Sequence, residues 1–134
     1  MSAGVNDRRL AQQFYNSVKE WQSETNSSLI DLLFFQRILD IYGLKAMDPI
    51  LSRDVEILKR SLVTFLDQTS EKHKRRLREH EEYLQKIVED RILLKDRDFP
   101  YRHKDIEKDV ESFRKTFWEL KTELFAKVEL LKNV

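Results

Sequence analysis

The sequence predicts an all-α fold: three long antiparallel helices forming a coiled-coil-like helical bundle. Three observations lead there. Glycine and proline occur only at Gly4, Gly43, Pro49 and Pro100. These residues break helices through backbone freedom or a missing N–H, so they leave three uninterrupted stretches, 5–42, 50–99 and 101–134. Apolar residues within each stretch recur at alternating steps of three and four, the period of a helix with one buried face. Charged residues make up 37% of the 134 and mean hydropathy is −0.62, as in long amphipathic helices. One domain, 1–134, is expected, with helices at about 7–42, 49–97 and 101–132.

The first helix can be capped by Asn6, and its stripe reads Leu10, Phe14, Val18, Trp21, then Leu32, Phe35, Leu39, Tyr42. Gly43 stands where a left-handed residue ends a helix. Between the two halves lies Ser23–Ser28, whose short polar side chains compete for backbone hydrogen bonds. Ser28 and Asp31 have capping-box spacing, so a kink is weighed there against a continuous helix. Asp31 also falls within an apolar face. Its expected role is that cap, or a register-fixing acid paired with Lys59, because an unpaired buried carboxylate is costly.

Asp48-Pro49 reads as an N-cap followed by proline at the first helical position. The second helix then runs to the next breaker, with a seam of Leu51, Val55, Leu58, Leu62, Leu66, Thr69, His73, Leu77, His80, Leu84, Ile87, Arg91 and Leu94. Asp67–Ser70 is the candidate kink. Near Pro100 the third helix begins, with the stripe Ile106, Val110, Phe113, Phe117, Leu120, Leu124, Val128, Leu131. Trp118 and Phe125 form a second flank, which implies contact with two neighbours.

Short connections make neighbouring helices antiparallel. Folding about the 43–48 turn sets residues whose numbers sum to about 91 opposite one another, and folding about residue 99 gives about 198. On that register the third helix covers the second only from about residue 64 onward. The hairpin of residues 28–66 is then left bare, although Leu29–Leu44 is the most apolar part of the chain. On a helical wheel its large side chains cover roughly 200°, twice what one neighbour requires. The expected interface residues are Phe34, Ile38, Ile41 and Tyr42 with Ile57 and Val63, which serve as anchors in a homodimer or a complex with another helical protein. A monomer closed by a kink near 67–70 is the competing expectation.

Other chemistry finds little support in the residues. Cysteine is absent, which excludes disulfides, thiolate nucleophiles and Cys-based zinc sites. No glycine-rich phosphate loop or catalytic triad is visible, so an enzyme is not expected and no catalytic residue, cofactor or metal ligand is assigned. His73 and His80 interrupt the seam seven residues apart, whereas chelation from one helix favours three or four. They read as structural histidines packed on aromatics, with metal, haem or a small ligand around them as the alternative and loosening near pH 5–6 as a consequence. His103 is expected at the surface beside Glu107. Lys72–Arg78 is the one basic run. Glu71, Glu79, Glu81 and Glu82 bracket it and net charge is only +1, so nucleic-acid binding is disfavoured. Neither a signal-peptide core nor a bilayer-spanning segment is present, and a cytoplasmic protein without membrane insertion is expected.

Overall fold

A computed structural model describes residues 4–43, 48–90 and 98–132, and all their regular structure is helical. Helix α1 spans Val5–Gly43, α2 Pro49–Thr64, α3 Ser70–Val88 and α4 Phe99–Lys132. A π-helical turn, Phe65–Thr69, joins α2 to α3 without a break. The chain divides into two compact units. Unit 1 comprises Met1–Thr25 and Lys72–Ser112, and unit 2 comprises Asn26–Glu71 and Phe113–Val134.

Local chemistry accounts for the helix ends. The Asp48 carboxylate accepts from the backbone N–H groups of Ile50 and Leu51, with Pro49 beginning α2, as its N-cap role requires. Asn6 does not cap α1, which already begins at Val5 with the Arg8 N–H bonded to the Gly4 carbonyl. Gly43 does not turn left-handed either: no glycine has positive φ. Instead it lets helices approach, because a Cβ there would stand 3.1 Å from Val55 Cγ1. Through Ser23–Ser28, α1 is continuous. Thr25 is buried there and its hydroxyl donates to the Trp21 carbonyl at 2.8 Å, so it does not compete with the helix ladder.

The π-turn follows from the seam. Buried positions on α2 are Val55, Leu58 and Leu62, followed by Phe65 in the turn; on α3 they are Ser70, His73, Leu77, His80, Leu84 and Ile87. Steps of three and four hold throughout except from Phe65 to Ser70, which is five. An unbroken α-helix would carry Lys72, Arg76 and Glu79 into the core. One widened turn absorbs the extra residue and keeps one face inward. The Ser70 N–H accordingly bonds to the Phe65 carbonyl, five residues back. Its hydroxyl donates to the Leu66 carbonyl, the acceptor an α-helical Ser70 N–H would have used. Thr69, expected in the seam, is exposed, and Leu66 is only half-buried.

Unit 2 is a three-helix core. Leu29, Leu32, Phe35 and Leu39 of α1 meet Val55, Leu58 and Leu62 of α2, with Phe65, and a stripe from Phe113 to Leu131 of α4. The expected bare hairpin is therefore covered by α4 along its length. The register explains the difference. Asp54 pairs with Lys127, Arg76 with Asp109, and His80 meets His103, whereas the sequence register set His80 beside Trp118. α4 is thus shifted by about fifteen residues, roughly 22 Å of helix. The physical cause is the connection: α3 ends at Val88, not near 97, with Asp90 in the left-handed region at φ 56°, and α4 begins at Phe99. Glu89 and Asp90, expected within the helix, lie beyond its end. Arg91 and Leu94 of the expected seam, like the 44–47 turn, lie outside the described residues.

Unit 1 packs Ala11, Val18 and Trp21 of α1 against Leu77, Leu84 and Ile87 of α3 and Phe99 and Val110 of α4. Arg8 Nε donates to the Val88 carbonyl, and Lys19 and Gln22 both bond the Glu81 carboxylate. Rising numbers on α1 therefore meet falling numbers on α3. The Lys19 ammonium beside it holds the Glu81 carboxyl below its ordinary range.

Candidate functional site

Helix α1 has two apolar faces within unit 2. One enters the core. The other carries Ile30, Phe34 and Ile41, which are 66%, 61% and 52% exposed. At 100° per residue these three lie within roughly 30° of the direction opposite the core stripe, and Arg37 shares the ridge. Ile38 sits on its flank, half-buried against the core, with the partly exposed Tyr42 beyond it.

The six interface residues expected from the sequence do not form one patch. Ile57 is exposed but lines the groove between α2 and α4, on the other side of the unit from the ridge. Val63 is exposed on the opposite flank of α2. Phe34, Ile38, Ile41 and Tyr42 stay together because they share one helix. The flank of α4 nearest α1 adds Trp118 and Phe125, 59% and 57% exposed. Both were expected to touch a second neighbour, and neither enters the core.

A polar clasp lies between those two flanks. Lys121 Nζ is 3.0 Å from Asp31 Oδ2 and 5.2 Å from the centroid of the Trp118 ring. Asp31 is therefore neither a capping carboxylate nor a partner of Lys59. Its side chain is about half exposed, and Lys59 pairs with Asp40 at 3.2 Å instead. Lys127–Asp54 ties α4 to α2 at 3.3 Å. These clasps are all at least partly solvated, so they direct register more than they add stability.

Unit 1 holds a different cluster. His80 Nε2 and His103 Nδ1 are 2.9 Å apart and both rings are buried. The His103 ring stacks on Phe14 with centroids 3.8 Å apart, and Trp21 lies at 5.1 Å. The Arg102 guanidinium sits 3.7 Å over the Tyr83 ring. Desolvation pushes the His80 pKa down to about 4, aided by His103 and Arg102, and burial alone takes His103 to about 4. His73 is lowered too, mainly by burial. His103 is thus a core residue, contrary to the surface position expected for it. The signal was present: Phe99, His103, Ile106, Val110 and Phe113 extend the α4 stripe backward in steps of four, three, four and three.

The histidine partner of His80 is His103 on α4, not His73. The pair presents two ring nitrogens already bonded to each other. Among the described residues no group of three or more His, Asp or Glu side chains could hold a metal. A cleft of about 500 Å³ opens beside His80, lined by Arg76, Arg102 and Lys108 but also by Glu79, Asp105 and Asp109. Its charges balance, so it offers no field for an anion. The basic run is split by helix geometry: His73 and Leu77 are buried, Arg76 pairs with Asp109 at 2.6 Å, and Lys72, Arg75 and Arg78 face solvent. No described helix is long and apolar enough to cross a membrane.

Comparison with protein-family models, curated proteins and solved structures yields no match.

Proposed function

We propose that the chain is a non-enzymatic structural module that works by protein–protein association, and that it self-associates through the outward face of α1 in unit 2. The observation carrying this reading is the double-faced helix. After Leu29, Leu32, Phe35 and Leu39 have entered the core, Ile30, Phe34 and Ile41 still stand in water. Burying the part of each that is still exposed would contribute about 1–2 kcal/mol before the costs of association are subtracted. Large apolar side chains grouped on one helix face are the usual mark of an interface. A cytoplasmic location accords with this reading, which needs neither cofactor nor metal.

Sedimentation velocity and light scattering from about 1 to 100 micromolar test it, a range spanning ordinary homo-oligomer affinities. Self-association that Phe34→Ser and Ile41→Ser abolish is the expected result. A wild-type chain that stays monomeric throughout overturns the reading.

A further inference from the structure

Self-association through α1 leaves open what its ridge meets on the second copy. The groove between α2 and α4 of unit 2 supplies a counterpart. Two hollows of about 360 and 570 Å³ share Ile57, Ser61 and Glu123, so they form one continuous depression. Small side chains line much of it, including Ser61 and Thr64 on α2 and Thr116 and Ala126 on α4. Small residues between two helices leave room for the ridge of a third.

Charge distinguishes this site from a generic slot. Glu119 and Glu123, one turn apart on α4, are exposed along the groove and form no ion pair among the described residues. Arg37 is exposed at the middle of the ridge and likewise forms none. Two carboxylates one turn apart suit the planar, forked guanidinium. Lengths agree as well: Ile30 to Ile41 spans about 16 Å of helix, as does Thr116 to Lys127. A pairing of two α1 ridges would instead bring Arg37 of each copy close together.

We infer that the α1 ridge of one copy seats in the α2–α4 groove of the next, with Arg37 between Glu119 and Glu123. The inference rests on the self-association reading above. Ridge and groove lie on opposite sides of unit 2, so one pair of copies cannot satisfy both surfaces of each. The contact is heterologous, and assembly continues head to tail into open chains or a ring.

Mixing variants tests this. Phe34→Ser/Ile41→Ser removes the ridge, and Glu119→Lys/Glu123→Lys reverses the two acids of the groove that no described cation pairs. All these side chains are exposed, and circular dichroism checks that helicity is kept. Each variant alone should be monomeric, while an equimolar mixture should give a one-to-one dimer and nothing larger. Arg37→Glu should weaken wild-type assembly roughly tenfold to a hundredfold. Combining it with Glu119→Lys/Glu123→Lys in one chain should restore assembly. If the groove variant alone associates like wild type, ridges meet each other: the head-to-tail inference falls and the self-association reading stands. A mixture that stays monomeric, or a charge swap without rescue, also overturns the inference. A wild-type chain that never associates removes both.

Discussion

The two units share α1 and α4 yet divide their polarity in opposite ways. Unit 1 buries His73, His80, His103 and Thr25 and clasps its surface with Lys19–Glu81 and Arg76–Asp109. Apart from Ser70, unit 2 fills its interior with Leu, Phe and Val and leaves Ile30, Phe34, Trp118 and Phe125 in solvent. A core of imidazoles ties stability to protonation, whereas an aliphatic core with an apolar exterior ties behaviour to concentration. Response to pH should therefore be seated in unit 1, and association in unit 2.

The sharpest way to break that comparison is to change the seam. Deleting Gln68, an exposed residue of the π-turn, restores continuous steps of three and four from Val55 to Ile87 and should cost little. Deleting Arg78 should be far more damaging, because it rotates Leu84 and Ile87 by about 100° out of the unit 1 core. The expected outcome is loss of hydrogen-exchange protection in unit 1, beyond the 4–5 kcal/mol or so of severe point mutants. If both deletions are equally disruptive, the account of the π-turn is wrong.

Next in size is the unit 2 core. Leu124 is fully buried, so Leu124→Ala should lose about 2–5 kcal/mol in urea denaturation. Acidification comes third and should act on unit 1. His80 and His103 titrate near 4 when folded and near 6.5 when unfolded, so between those values the unfolded chain binds more protons. Stability is complete above about pH 6.5 and declines as pH falls toward 4. That window spans the pH 5–6 expected from the sequence and extends below it. His80→Phe/His103→Leu should flatten the pH profile; an unchanged slope would move the acid sensitivity elsewhere. The smallest effect is Phe34→Ser measured on the monomer, within about 0.5 kcal/mol, because that side chain contributes little to the folded unit's own core.

Much of this was legible residue by residue. Asp48-Pro49 announced its cap, and the apolar surplus at Leu29–Leu44 announced a helix with two apolar faces. The π-turn was present as a five-residue step, but Phe65 and Leu66 are adjacent and both apolar. Leu62, Leu66, Thr69, His73 therefore read as an unbroken seam, and only packing chose Phe65 and Ser70. His103 is hidden for a related reason: its partner is set by the register of α4, and a fold placed about residue 99 gives a different register.

Breakers and periodicity, both local properties, determined that the chain is helical, where α2 begins and which faces of α1 and α4 turn inward. Helix register is not local. How many residues the connection before α4 consumes depends on where α3 stops, and no breaker marks Val88. Only the tertiary structure decided that α4 lies along all of α2, covers the hairpin, and brings His103 to His80. It also decided which apolar residues stay outside, because a side chain's exposure depends on which neighbour the register sets against it.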